Sequence, residues 1–171
     1  WQMVKRIKIA VLGRKKIFDS EGNTQLEWQK KRNQTPKSDV LPPLESGLKE
    51  FRYNLTLISK LTKEKGMKLV LLTQPSLWKQ NLSEDEDRLL WFGCVENQGY
   101  TCYSSKALDA GLERYNQVIR DICVSEQLEC VDLARKLTKD TTVFYDDVHF
   151  NAGGAEKTAQ VIFSRLNNTF K

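Results

Sequence analysis

One stretch constrains what this chain can fold into more than any other. It is Lys68-Leu69-Val70-Leu71-Leu72-Thr73, a continuous apolar run closed by Gln74-Pro75. A run of this kind predicts a strand buried on both faces, as in parallel sheets. The residues before it predict a helix from Leu44 to Lys65, because Leu44, Leu48, Phe51, Leu55, Ile58 and Leu61 recur at steps of three or four. Gly66 stops that helix. Further on, Leu108, Leu112, Tyr115, Val118, Ile119 and Ile122 predict a second long helix with Tyr115 in its core. Cys130-Val131-Asp132-Leu133 predicts a second short strand, with Asp132 a turn or cap residue at its end. Asn151 is placed to cap a last helix whose buried stripe would be Ala155, Ala159, Ile162, Phe163 and Leu166.

Helix, strand, helix, strand, loop, helix is the alternation of a parallel α/β sheet with helices on its faces. Two strands leave the edges of such a sheet unpaired. Residues 44–171 therefore read as the second half of a domain. Residues 1–43 read as a basic connector: a short apolar-basic helix over 1–13, with Val4, Ile7, Val11 and Leu12 on one side, then an irregular loop over 14–43 ending in Pro42-Pro43. Residues 76–106 predict another long loop, holding Trp78, Trp91, Phe92 and two of the four cysteines. A loop of that length in a compact domain is usually functional or disordered.

The net charge of +5 is unevenly placed: residues 1–40 stand at +6 and the remainder at −1. A basic arm can bind nucleic acid or anionic lipid. This one lacks a glycine-rich phosphate loop and the aromatic interleaving that stacks bases. It reads as a solvated connector with no nucleic-acid partner, and it leaves association with a membrane surface open. No apolar run is long enough to span a bilayer, and Trp1 to Lys16 lacks the apolar core of a signal peptide.

Cys94, Cys102, Cys123 and Cys130 fall into two near pairs instead of a C-x-x-C metal spacing, and one histidine offers few other soft ligands. No metal site is expected. The pairs favour disulfides Cys94–Cys102 and Cys123–Cys130 in an oxidising, extracytoplasmic compartment, periplasmic or secreted, over reduced buried cysteines in the cytosol. Four N-x-S/T triplets, starting at Asn33, Asn54, Asn81 and Asn167, point the same way.

The chemistry concentrates in Tyr145-Asp146-Asp147-Val148-His149-Phe150-Asn151-Ala152-Gly153-Gly154, which holds the single histidine. Histidine titrates near neutral pH and is the usual general base. Asp146, three residues earlier, can fix its tautomer and stabilise the imidazolium. Asp147 reads as a solvated neighbour. Gln74, at a strand's carboxyl end, and Trp78 are candidates for substrate contact, because sites in such sheets form beyond the carboxyl ends of strands. Trp78, Trp91 and Phe92 suit an acyl or sugar pocket and suit core or lid packing equally well.

Thr73-Gln74-Pro75 after a strand, a long helix around Tyr115-Asn116, the strand Cys130–Leu133 and then Asp146-x-x-His149 with Asn151–Gly154 resemble the carboxyl half of the SGNH (GDSL-type) serine hydrolases. The resemblance spans roughly residues 44–167. It implies a three-layer α/β/α parallel sheet of flavodoxin-like form, with His149 as general base and Asp146 orienting it. It also implies a carboxylic-ester hydrolase of lipase or acylesterase type, needing no metal or organic cofactor and acting on an acylated sugar, lipid or small ester. The family's nucleophilic Ser, its second-block Gly and its G-x-N-D Asn match nothing in this sequence. Ser20, Ser38, Ser46 and Ser76 lack the context, and Asn23 follows Gly22 without the Asp. The expected partner is thus an N-terminal half of the same domain carrying Ser, Gly and Asn, and this chain alone is expected to be inactive. A binding module on the same fold that has lost the serine is the alternative. A nucleic-acid or anionic-membrane binder working through residues 1–40 is a third reading, with affinity that falls steeply with salt.

Overall fold

The computed structural model describes residues 23–96 and 99–167. The helix expected over 1–13 and residues 14–22 of the expected loop lie outside them. The elements run α1 (Asn23–Gln34), β1 (Lys37–Ser38), α2 (Glu45–Glu64), β2 (Val70–Leu72), α3 (Glu84–Leu89), β3 (Cys94–Glu96), β4 (Tyr100–Tyr103), α4 (Ser105–Ser125), β5 (Glu129–Val131), α5 (Leu133–Lys136) and α6 (Ala152–Leu166). The chain is of the mixed α/β class.

The apolar run becomes β2, paired in parallel with β5 in the register Val70↔Glu129, Leu71↔Cys130, Leu72↔Val131. Helix α2 ends where Gly66 takes a positive φ of 65°. The amide of Met67 then donates to Thr62 O at 2.9 Å, closing the helix terminus. Helices α2 and α4 pack together, and α4 lies against both strands of the pair. The Cys123–Cys130 disulfide ties α4 to β5. Val131, the next residue, packs into the core with Leu77, Leu90, Leu133, Val143 and Phe144, against which Val161, Ile162 and Leu166 of α6 lie.

Three expectations need correction. Residues 23–38 of the expected loop form helix α1 and strand β1. The loop over 76–106 is built from α3, β3 and β4. Ser83 caps α3 in a reciprocal capping box with Glu86. The hairpin β3–β4 is antiparallel, its Cys94↔Cys102 pair is the other disulfide, and β1 adds to it in parallel. Last, Ala155, Ala159 and Phe163 of α6 face solvent, Phe163 at 67% exposure. The helix instead buries Gly154 and half-buries Thr158, Val161, Ile162 and Leu166.

The turn of α6 has a steric cause. The Asn151 side chain caps the helix by accepting from the Gly154 amide at 2.8 Å. A Cβ on Gly154 would lie 2.0 Å from the carbonyl oxygen of Val143. Only glycine lets the helix start close on that backbone. Gly154→Ala should therefore cost about 1–3 kcal/mol by forced displacement. Gly153→Ala, whose Cβ would meet Thr142 O at 3.2 Å, should cost much less. Urea unfolding of both variants checks this.

Candidate active site

The loop between α5 and α6 is held shut by its own backbone. Tyr145 N donates to His149 O at 3.1 Å and Asn151 N to Val143 O at 3.0 Å. Phe144 and Phe150 form a bridge across it. Asp146 sits at the turn. Its Oδ1 accepts from the amides of Val148 and His149 at 3.1 and 2.9 Å, an Asx turn that fixes the carboxylate beside the imidazole. His149 Nδ1 lies 2.9 and 2.8 Å from the two oxygens. An ionised carboxylate only accepts, so Nδ1 carries the proton, and in the neutral imidazole Nε2 keeps the lone pair. No described residue hydrogen-bonds Nε2. The Asp146 side chain is 1% exposed and that of His149 48%. The pair therefore has a buried, fixed end and an open, basic end.

Two further donors reach Asp146 Oδ2: the Trp91 indole at 3.0 Å and the Gln25 amide at 3.4 Å. Burial pushes the Asp146 carboxyl up, but the hydrogen bonds from Trp91, the two amides and His149 outweigh it and hold the group below the usual range. Aromatic rings frame the imidazole. Tyr145 and Trp91 lie near-parallel to it at 5.7 and 6.4 Å, and Phe92 lies tilted at 6.2 Å.

Asp147 is not the solvated neighbour that the sequence suggests. It is 0% exposed. Its Oδ1 accepts from the Trp78 indole at 2.9 Å, and its Oδ2 from the amides of Trp91 and Phe92 at 2.7 and 3.3 Å. Its carbonyl accepts from Leu77 N at 2.8 Å. Burial raises its pKa, against those hydrogen bonds and the charge of Arg32.

Of the two candidates for substrate contact, Trp78 is half-buried, gives its indole N–H to Asp147 and packs on the core cluster. Gln74 is exposed; its side chain donates to Pro75 O. Asn116, buried in α4, clamps the Gln74 backbone, accepting from its N at 2.8 Å and donating to its O at 2.9 Å. No hydrogen bond joins Gln74 or Trp78 to Asp146 or His149 among the described residues. Asp132 does serve as a structural anchor at the end of β5. It accepts from Arg120 through both oxygens and from Thr73 Oγ1 at 2.8 Å.

Helix α1 is the part of the site that sequence reasoning missed. Gln25 donates to Asp146, Trp28 meets Trp91 edge-on at 5.8 Å, Gln29 donates to Leu89 O at 2.9 Å, and Arg32 reaches Cys94 Sγ. These four share one helix face at steps of three and four. Among the described residues, no group of His, Cys, Asp and Glu is arranged to hold a metal ion. Compared with protein-family models, curated proteins and solved structures, the chain matches none of them.

The two adjacent carboxylates should leave opposite marks on stability. A depressed carboxyl contributes stability that is present above its unfolded value, about 3.9, and lost as pH falls through the folded value. A raised one contributes stability present below about 3.9 and lost as pH rises through the folded value. From acid to neutral pH, the gap in unfolding free energy between wild type and Asp146→Asn should widen, and that between wild type and Asp147→Asn should narrow. Urea titrations across that range read both; parallel slopes would contradict the assignment.

Proposed function

We propose that this chain is the carboxyl-terminal half of an SGNH-type serine hydrolase domain and supplies the base and its orienting acid for carboxylic-ester hydrolysis. The observation that carries the reading is the Asp146–His149 pair, with Nδ1 on a buried carboxylate and Nε2 free at an open surface. That is what a serine hydroxyl needs in order to be activated.

The surrounding geometry supports it. The pair stands beyond the carboxyl end of β2, because the chain leaving that strand is stitched to the site loop at Leu77–Asp147. Cys130 of β5 turns to α4 and the adjacent Val131 to the core beneath α6. Neighbouring strand residues point to opposite faces, which suits helices on both faces of a parallel sheet. On α2, Leu57, Ile58 and Leu61 remain about half exposed, and Leu72 of β2 is also exposed. A serine-bearing segment that extends the sheet beside β2 would cover them.

In this reading Nε2 takes the proton from the serine of that segment as its oxygen attacks the ester carbonyl. Asp146 holds the ring and stabilises the imidazolium. The Gly and Asn of the same segment face the developing oxyanion. The imidazolium then protonates the leaving alcohol, and water releases the acid by the reverse sequence. The acyl group belongs to an acylated sugar, a lipid or a small ester, and the chemistry calls for no cofactor. The two disulfides fit an extracellular environment, and the sequon residues Asn33, Asn54, Asn81 and Asn167 are exposed. An extracytoplasmic site of action is part of the proposal. No helix among the described residues is long and apolar enough to cross a membrane.

The second reading, a binding module without catalysis, draws on one observation: no described serine hydrogen-bonds His149. Turnover of p-nitrophenyl acetate by the full-length native protein separates the two. The esterase reading expects hydrolysis that falls on the order of 10³-fold or more in a folded His149→Ala variant, with a loss of similar order in Asp146→Asn. Undiminished turnover in folded His149→Ala would overturn it.

A further inference from the structure

Trp91 is bound to both members of the Asp146-Asp147 pair, each by a different part of the residue. Its backbone amide donates to Asp147 at 2.7 Å and its indole donates to Asp146 at 3.0 Å. Phe92 adds a second amide to Asp147. The indole therefore reaches Asp146 from a backbone whose position Asp147 sets. Asp147 itself makes no hydrogen bond to His149.

We infer that Asp147 is a positioning residue: its buried carboxylate fixes the Trp91–Phe92 backbone so that the Trp91 indole locks Asp146, and through it the Nδ1–H tautomer of His149. The consequence for catalysis rests on the ester-hydrolase reading. The positioning itself does not.

Three further observations point the same way. A carboxylate buried to 0% exposure is expensive unless bonded and charge-compensated. Asp147 spends its acceptors on the Trp78 indole and the two amides, all of which fix chain geometry. A purely structural core position would be filled more cheaply by an apolar residue. Second, the compensating charge is nearby and equally buried. Arg32 of α1 is 0% exposed, and its Nε and Nη2 have no hydrogen-bond partner among the described residues. Its guanidinium stays charged in any protein, and it interacts electrostatically with Asp147. Third, the same helix sends Gln25 to Asp146 and Trp28 to Trp91. Helix α1 therefore supports the indole and both carboxylates from one side.

The single histidine makes the test direct. With ¹⁵N-histidine in the whole chain, the two imidazole nitrogen shifts report the tautomer of His149 with no other signal to assign. Wild type should be mostly Nδ1–H. Asp147→Asn replaces one acceptor oxygen by an N–H₂ that must face either the Trp78 indole or the Trp91 and Phe92 amides, so it cannot hold all three donors together. It should shift the tautomer ratio roughly fivefold toward Nε2–H, the size expected when one supporting hydrogen bond is lost. Trp91→Phe keeps the amide but removes the indole donor and should shift the ratio in the same direction. Arg52→Ala, which loses the ion pair with Asp121 between α2 and α4, should leave it unchanged. A folded Asp147→Asn with the wild-type ratio overturns the inference. If Asp147→Asn does not fold, an unchanged ratio in Trp91→Phe overturns it. Loss of stability alone, with the tautomer intact, marks a merely structural role. Absence of ester turnover in the full-length protein would sink the hydrolase reading while leaving the tautomer result standing, so the two failures are told apart.

Discussion

A buried carboxylate organises this structure. Asp147 lies out of contact with water, where an unbonded charge costs several kcal/mol, and so the chain around it is arranged to supply donors. The loop leaving β2 brings Leu77 and Trp78, the segment before β3 brings the amides of Trp91 and Phe92, and α1 brings the charge of Arg32. Three separated pieces of sequence meet at one side chain. Its neighbour Asp146, also buried, gives its carboxylate to the imidazole of His149.

The two adjacent aspartates thus divide the work through environment. Asp146 receives enough hydrogen bonds to stay ionised at ordinary pH in spite of its burial. Asp147 is buried deeply enough that its ionisation is opposed, and it serves as a hub of the chain. The imidazole ring is set among Tyr145, Trp91 and Phe92.

Much of the frame was legible in the sequence. The 3.6-residue apolar period marked the helices Glu45–Glu64 and Ser105–Ser125, and the unbroken apolar run marked β2. The cysteine spacing indicated both disulfides. The Asp146–His149 spacing pointed to the side-chain contact found at 2.8–2.9 Å. What was not legible has a common physical reason: it depends on polar burial. Helix α1 docks through Gln25, Trp28, Gln29 and Arg32, so apolar periodicity passes over it, and Leu26 is left exposed. Asp147 has the sequence context of a surface residue and is buried only because distant donors converge on it. Helix α6 turns its face by about one residue because Gly154 must close on Val143. The Ser83-x-x-Glu86 capping box of α3 was readable in the sequence, hidden inside what looked like a loop.

The account stands or falls on whether Nε2 of His149 serves a serine. The most direct measurement is peptide mass spectrometry of the full-length native protein after exposure to a fluorophosphonate, which reacts covalently with an activated serine hydroxyl. The account predicts one labelled serine, outside the residues described here, with labelling lost in a folded His149→Ala variant. A folded, full-length protein with no labelled serine, or labelling indifferent to His149, would contradict it.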